Sequence, residues 1–147
     1  MDAELARKVL TSLPHVMEVE QWGGLLSWLG DKASEGKIFA LLHLDGKRHL
    51  ISFAAGPERF AELCKLDWVR PAPYFAKAHR VAVERWDALR NAEWDDELRA
   101  SHGLVLAKLP AKTRAMLALP ARELKKAVAE GRKVLAEKSS AAGKIAN

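Results

Sequence analysis

The chain has 147 residues, a formal net charge of +5, 49 % hydrophobic and 29 % charged side chains, and one cysteine. These values exclude a disulfide scaffold and a wholly disordered chain, and the length lets one domain bury a core without staples. No apolar run reaches the roughly 20 residues of a membrane span. Residues 1–4 lack the basic-then-apolar order of a signal peptide, so the expectation is a reducing cytoplasm and no membrane partner.

The charge is unevenly placed. Residues 108–147 carry ten Lys or Arg and three Glu, whereas residues 1–107 carry 14 basic and 16 acidic side chains. The whole surplus therefore sits in the last quarter, which points to an anionic partner or to a solubilising helix.

Residues 2–12 read as a helix, with Leu5, Val9 and Leu13 at helical spacing and Asp2 and Glu4 at its positive end. Pro14 stops it. Residues 16–24 alternate only weakly and are broken by Gly23-Gly24; residues 25–29 form a strand and 31–36 a turn. The clearest local signal is a hairpin over 37–44 and 47–54 around Asp45-Gly46, a pair suited to the type I′ turn. A two-residue loop pairs Leu44 with Lys47. It places Ile38, Ala40 and Leu42 opposite Phe53, Ile51 and His49, with Phe39 and Leu41 on the other face. Both faces are apolar, so cover is expected on both.

Gly56-Pro57-Glu58 starts a helix that buries Phe60, Leu63 and Cys64, which makes Cys64 a core thiol rather than a nucleophile. Arg70-Pro71-Ala72-Pro73 is loop or extended chain, and residues 78–86 alternate as a strand. Residues 93–109 form a helix with Leu98, His102, Val105, Leu106 and Leu109 on one face, His102 as a hydrogen-bonded core residue. A short helix follows over 112–117. Pro120 begins a last helix to about 137, with Leu124, Val128 and Leu135 in one stripe. Arg122, Lys125, Lys126, Arg132 and Lys133 share an arc of about 120° on another side. The organisation read from this is a domain over 1–118, a basic amphipathic helix over 119–138 and a flexible tail over 139–147.

Catalytic signatures are missing. The five histidines show no metal-site spacing, and no second cysteine completes a zinc site. Neither a nucleophile elbow nor a phosphate loop is present. Asp95, Asp96 and Glu97 read as charges near a helix start. The five tryptophans read as core, with Trp86 the exception at a strand end. The expectation is a non-catalytic protein without cofactor or metal.

Several segments in order resemble the MmcQ/YjbR family of small bacterial proteins. They are Leu13-Pro14 with Glu18 and Trp22-Gly23; Gly36-Lys37-Ile38-Phe39-Ala40; Arg70-Pro71-Ala72-Pro73-Tyr74; Lys77-Ala78-His79; and Ser101 leading to Lys108-Leu109-Pro110. They cover residues 1–118. The resemblance implies an α+β domain, an antiparallel sheet flanked by helices in a CyaY-like, double-wing arrangement, here with a basic C-terminal helix added. It also implies DNA binding, a label that rests on shape. The chain departs from the family's pattern at Arg80, where a tryptophan is usual, and at His102, where a tyrosine is common.

Three readings follow. The leading one is a DNA-binding domain that contacts phosphates through Lys47 and Arg48 at a hairpin tip, through Lys77, His79 and Arg80, and through Arg122, Lys125, Lys126, Arg132 and Lys133. The alternative is a protein-interaction or adaptor domain without nucleic acid. The third is an enzyme or small-ligand protein with a pocket near Trp22, Tyr74 and His79.

Overall fold

In the computed structural model, residues 1–30, 35–44, 49–73 and 79–146 are described. The elements run α1 (Ala3–Ser12), β1 (Val16–Gln21), β2 (Gly24–Leu29), β3 (Lys37–His43), β4 (Ile51–Ala54), α2 (Pro57–Leu63), β5 (Val69–Pro71), β6 (Arg80–Val83), α3 (Asn91–Lys108), α4 (Ala111–Leu117) and α5 (Ala121–Ala146). The strands form one six-stranded sheet in the order β1-β2-β3-β4-β6-β5. Every pairing is antiparallel. The protein is therefore an α+β fold, as the sequence pattern indicates.

Segment 16–24 is more regular than its weak alternation suggests. Val16–Gln21 is a full strand, and β1 returns into β2 across Trp22-Gly23, whose φ values are 55° and 73°. Two successive positive φ angles define a type I′ hairpin turn. A tryptophan is a poor sequence signal for that turn because bulky residues disfavour the left-handed region. Gly24 then belongs to β2 rather than to the break, beneath the Leu42 carbonyl of β3.

The β3–β4 hairpin is confirmed, but its register is not that of a two-residue loop. Leu42 pairs with Ile51 and Ala40 with Phe53, two residues away from the expected partners His49 and Ile51. A shift of two preserves the faces. Residues 45–48, which carry the expected Asp-Gly turn, lie outside the described residues. A bulge between Ser27 and Trp28 on one side and Ala40 and Ile38 on the other leaves Phe39 without its own partner on β2. A bulge residue turns its side chain out of the alternation. Phe39 accordingly meets His102 of α3 edge-on, while Phe53 meets Trp94 of the same helix.

Adjacent cross-strand rows show which face is the core. The row Leu25, Leu42, Ile51, Val83, Val69 is buried throughout. The next row runs Val19, Leu26, Leu41, Ser52, Ala82, Arg70 and is exposed at both ends. Helices α1, α2 and α3 share the buried face: α1 packs on β1, β3 and α3, and Arg59 of α2 pairs with Glu97 of α3. Glu97 is thus a buried interhelical partner, 7 % exposed, rather than a charge serving the helix start. His102 occupies the expected core position, its Nε2 2.7 Å from the Pro14 carbonyl. Cys64 is half-buried, and burial pushes its thiol pKa up.

The tryptophans divide differently from the expectation that all but Trp86 fill core: Trp86 itself packs against the core. Trp94 is fully buried and donates from Nε1 to the Trp86 carbonyl at 2.9 Å; Trp22 and Trp68 are exposed. Finally, α5 continues through Ala146. Residues 139–146 hold three alanines, the best helix former, and no Pro interrupts them.

Candidate nucleic-acid interface

The sheet has two ends, and they separate the candidate residues. At one end lie the Trp22-Gly23 turn, Leu44, which donates its backbone N–H to the Gly23 carbonyl at 3.1 Å, and His49. The β3–β4 connection, with Lys47 and Arg48, falls in the sequence between Leu44 and His49; those two residues lie outside the described ones. At the other end lie Ile38, His79 and Arg80, the C-terminus of α3, and helices α4 and α5. A groove of about 290 Å³ between α4 and α5 is lined by Glu35, two residues before β3, together with Lys112, Met116 and Val134. Six steps along β3 at about 3.3 Å each put roughly 20 Å between the two ends.

Arg80 is not a surface cation. It lies mostly inside the fold, where its guanidinium donates from Nη2 to the Ile38 carbonyl across β4, and burial lowers its pKa from the ordinary arginine value. An arginine that satisfies a backbone acceptor in this way holds the sheet rather than a phosphate. His79 stands in the left-handed region at φ 54°, with its ring edge-on to Phe60 at 5.5 Å and its carbonyl accepting from Ala55. Lys77 lies outside the described residues, as does Tyr74 of the pocket reading.

The helix α5 presents what its sequence promises. Arg122, Lys125, Lys126, Arg132 and Lys133 are all exposed. Leu124, at the start of the apolar stripe, rests against the core. Ala127, Glu130, Gly131 and Val134 form the wall of the groove facing α4. The basic arc is turned away from both.

Six further arginines of the domain are spent on its own carboxylates. Arg7 pairs with Glu18, Arg59 with Glu62 and Glu97, and Arg70 with Glu84. Arg85 pairs with Asp87, Arg90 with Glu93, and Arg99 with Asp95. The Glu18 hydrogen bond raises the pKa of Arg7, and the Glu97 hydrogen bond raises that of Arg59. By contrast, among the described residues Arg122, Lys125, Lys126 and Lys133 carry no carboxylate partner. Sequence reasoning found this surplus by counting; the pairing that leaves it uncompensated is visible only in three dimensions.

The exposure of two tryptophans is not signalled by the sequence. Trp22 is 73 % exposed in a left-handed conformation at the hairpin tip, beside exposed Leu44. Trp68, also left-handed and exposed, carries the Arg85 guanidinium 5.2 Å from its ring centroid. Among the described residues, no group of three or more His, Cys, Asp or Glu is placed to hold a metal ion. No helix among them is long and apolar enough to cross a membrane.

A six-stranded antiparallel sheet with three helices on one face, extended by two basic helices at one end, defines a small α+β protein. The family model of YjbR matches residues 11–104, and the chain belongs to the YjbR family. It is similar to the crystal structure of the Deinococcus radiodurans protein DR2400, described as a DUF419 domain. The two share 26 % identity and a TM-score of 0.67, over 81 % of this chain and 89 % of that one. No curated protein matches the chain. The family match ends before α4 and α5, where the uncompensated charge lies.

Proposed function

We propose that the protein is a non-catalytic nucleic-acid-binding module that grips the phosphate backbone of DNA through the basic face of α5, without reading bases. The observation that carries this is the contrast in charge pairing: six of the domain's arginines face carboxylates, whereas Arg122, Lys125, Lys126 and Lys133 of α5 are exposed and, among the described residues, have no carboxylate partner. Phosphate contacts need only positioned cations, and releasing their counterions supplies the binding free energy. Arg80, whose guanidinium donates to the Ile38 carbonyl, is left out of this surface.

The test is fluorescence anisotropy of a labelled random duplex, titrated at several salt concentrations with the full chain and with Lys125→Gln/Lys126→Gln/Lys133→Gln. Five phosphate contacts give a slope of log K against log[salt] of about −4.5, and removing three cations flattens it by about 2.7. The reading fails if the full chain does not bind at low salt, or if the triple variant keeps the original slope. A protein-docking reading is favoured by one separate observation, the exposed Trp22 and Leu44 at the opposite end. Its mark is a partner retained after nuclease treatment and lost in Trp22→Ala.

A further inference from the structure

The five histidines show no metal-site spacing along the chain, but the return from β3 to β4 brings two of them together. His43 closes β3, and His49 stands two residues before β4. Their ring centroids lie 6.1 Å apart, with the ring planes tilted by 54°. Both rings hang from anchored backbone. His43 pairs with Gly24 of β2, and its N–H donates to the Leu50 carbonyl at 2.9 Å. The Leu50 N–H in turn donates to the Val83 carbonyl at 2.8 Å, which fixes the residue next to His49. The other histidines lie elsewhere: His102 on the Pro14 carbonyl, His79 against Phe60, and exposed His15 before β1. One atom of the pair lacks a counterpart. His49 Nδ1 is buried and has no hydrogen-bond partner, and no other buried side-chain nitrogen or oxygen among the described residues is left so. A buried polar atom without a partner destabilises a fold unless a water or an ion meets it.

We propose that His43 and His49 form a two-histidine site for a divalent transition-metal ion of the class that favours imidazole, such as Zn²⁺, with one ion clipping β3 to the start of β4. A neutral imidazole offers one lone pair, and the neighbouring ring offers a second. Zn²⁺ binds about 2.0–2.1 Å from a ring nitrogen, hence about 3.2 Å from the ring centre, so one ion can serve two rings up to about 6.4 Å apart. The observed 6.1 Å lies within that span, and a small rotation of either ring narrows it toward a tetrahedral angle. Each imidazole gives the metal one nitrogen and keeps the other for a protein or solvent partner, so contacts on the second nitrogen do not compete. The donor set selects the ion: Mg²⁺ and Ca²⁺ take oxygen ligands, whereas imidazole suits Zn²⁺, Ni²⁺ and Cu²⁺. Among the described residues no third His, Cys, Asp or Glu joins the pair. The remaining coordination positions therefore belong to water or to an exchangeable outside ligand.

The site lies at the opposite end of the sheet from α5 and its test contains no nucleic acid, so it stands or falls apart from the DNA reading. The test is isothermal titration of the full chain, first stripped with EDTA, with Zn²⁺ near neutral pH. One ion per chain is expected. His43→Asn and His49→Asn are each expected to bind at least about tenfold more weakly, a loss that even an outer partner of a metal ligand produces. His15→Asn, at an exposed position outside the pair, is expected to leave binding unchanged. Long-range ¹H–¹⁵N spectra of the unsubstituted chain give a readout that does not depend on how any variant folds. Zn²⁺ is expected to shift the ring nitrogens of His43 and His49 and to leave those of His15, His79 and His102 in place; Mg²⁺ is expected to move none. Absence of Zn²⁺ binding overturns the proposal and leaves water as the partner of His49 Nδ1. So does full affinity in either pair variant, or Zn²⁺ spread over all five histidines.

Discussion

Replacing Gly24 by alanine tests whether the β1–β2 hairpin is held against β3 as tightly as the geometry requires. A Cβ at Gly24 would stand 2.7 Å from Leu41 Cδ1 and 2.9 Å from the Leu42 carbonyl oxygen. The leucine methyl can rotate away. The carbonyl belongs to a strand paired with β2 and cannot move without disturbing that pairing. Inserting a methyl into a packed site costs about 1–3 kcal/mol, and the usual gain of about 0.5–1 kcal/mol for removing a strand glycine offsets part of it. The expected net loss is about 1 kcal/mol, or a fall in Tm of roughly 2–4 °C for a chain of this length. Urea unfolding followed by far-UV circular dichroism measures it. The double variant Gly24→Ala/Leu41→Ala separates the two obstacles: if the carbonyl is the limiting one, removing the Leu41 side chain gives no rescue, and the two losses add within about 0.5 kcal/mol. A Gly24→Ala protein within about 0.5 kcal/mol of the parent refutes the reasoning, and rescue by Leu41→Ala assigns the clash to the side chain alone.

Three further outcomes are expected. Trp94→Ala loses about 3–5 kcal/mol in the same assay, because it empties a fully buried site and strands the Trp86 carbonyl; a loss below about 1 kcal/mol contradicts that burial. Arg59→Ala costs about 2 kcal/mol and exceeds Glu62→Ala, since it leaves Glu97 buried while Glu62 is a mostly exposed partner. Equal losses would show that the Arg59–Glu97 contact adds nothing. Cys64 reacts with iodoacetamide more slowly in the folded protein than in urea at pH 8, because a raised thiol pKa leaves less thiolate. By linkage, the raised folded value favours folding fully below the unfolded thiol pKa, and that contribution is lost as pH rises through the folded one. Equal native and unfolded alkylation rates would remove the burial argument.

Much of the fold is legible in local chemistry. Pro57 after Gly56 starts α2, the period of Leu98, His102 and Val105 marks α3, and the apolar runs on both sides of Asp45-Gly46 mark β3 and β4. What escaped the sequence depends on contacts between strands. The type I′ turn at Trp22-Gly23 has the wrong first residue by propensity, so β1 looks like weak alternation. The bulge that turns Phe39 toward His102 is a property of the β2–β3 register, not of either strand alone. Arg80 and Lys125 are both arginine-or-lysine positions to a sequence reader. Only the sheet order, which brings β6 beside β4 and within one strand of β3, shows that Arg80 reaches the Ile38 carbonyl and that Lys125 faces water.

The two halves of the sequence-derived DNA surface place different demands on a ligand. The hairpin end and the α5 end are separated along the strands by roughly 20 Å, about six base pairs of duplex at 3.4 Å each. One straight duplex lying along α5 therefore touches the other end only if it also passes over the sheet, where the exposed edge of β5 carries Arg70 already paired with Glu84. Arg122, Lys125, Lys126 and Lys133 offer no such continuous path: they are gathered on one helix beyond the end of the sheet. A single helix face of this kind suits a backbone contact of a few phosphates. The salt slope measures how many: the five-residue arc alone gives at most about −4.5, and a steeper slope requires cations outside the arc.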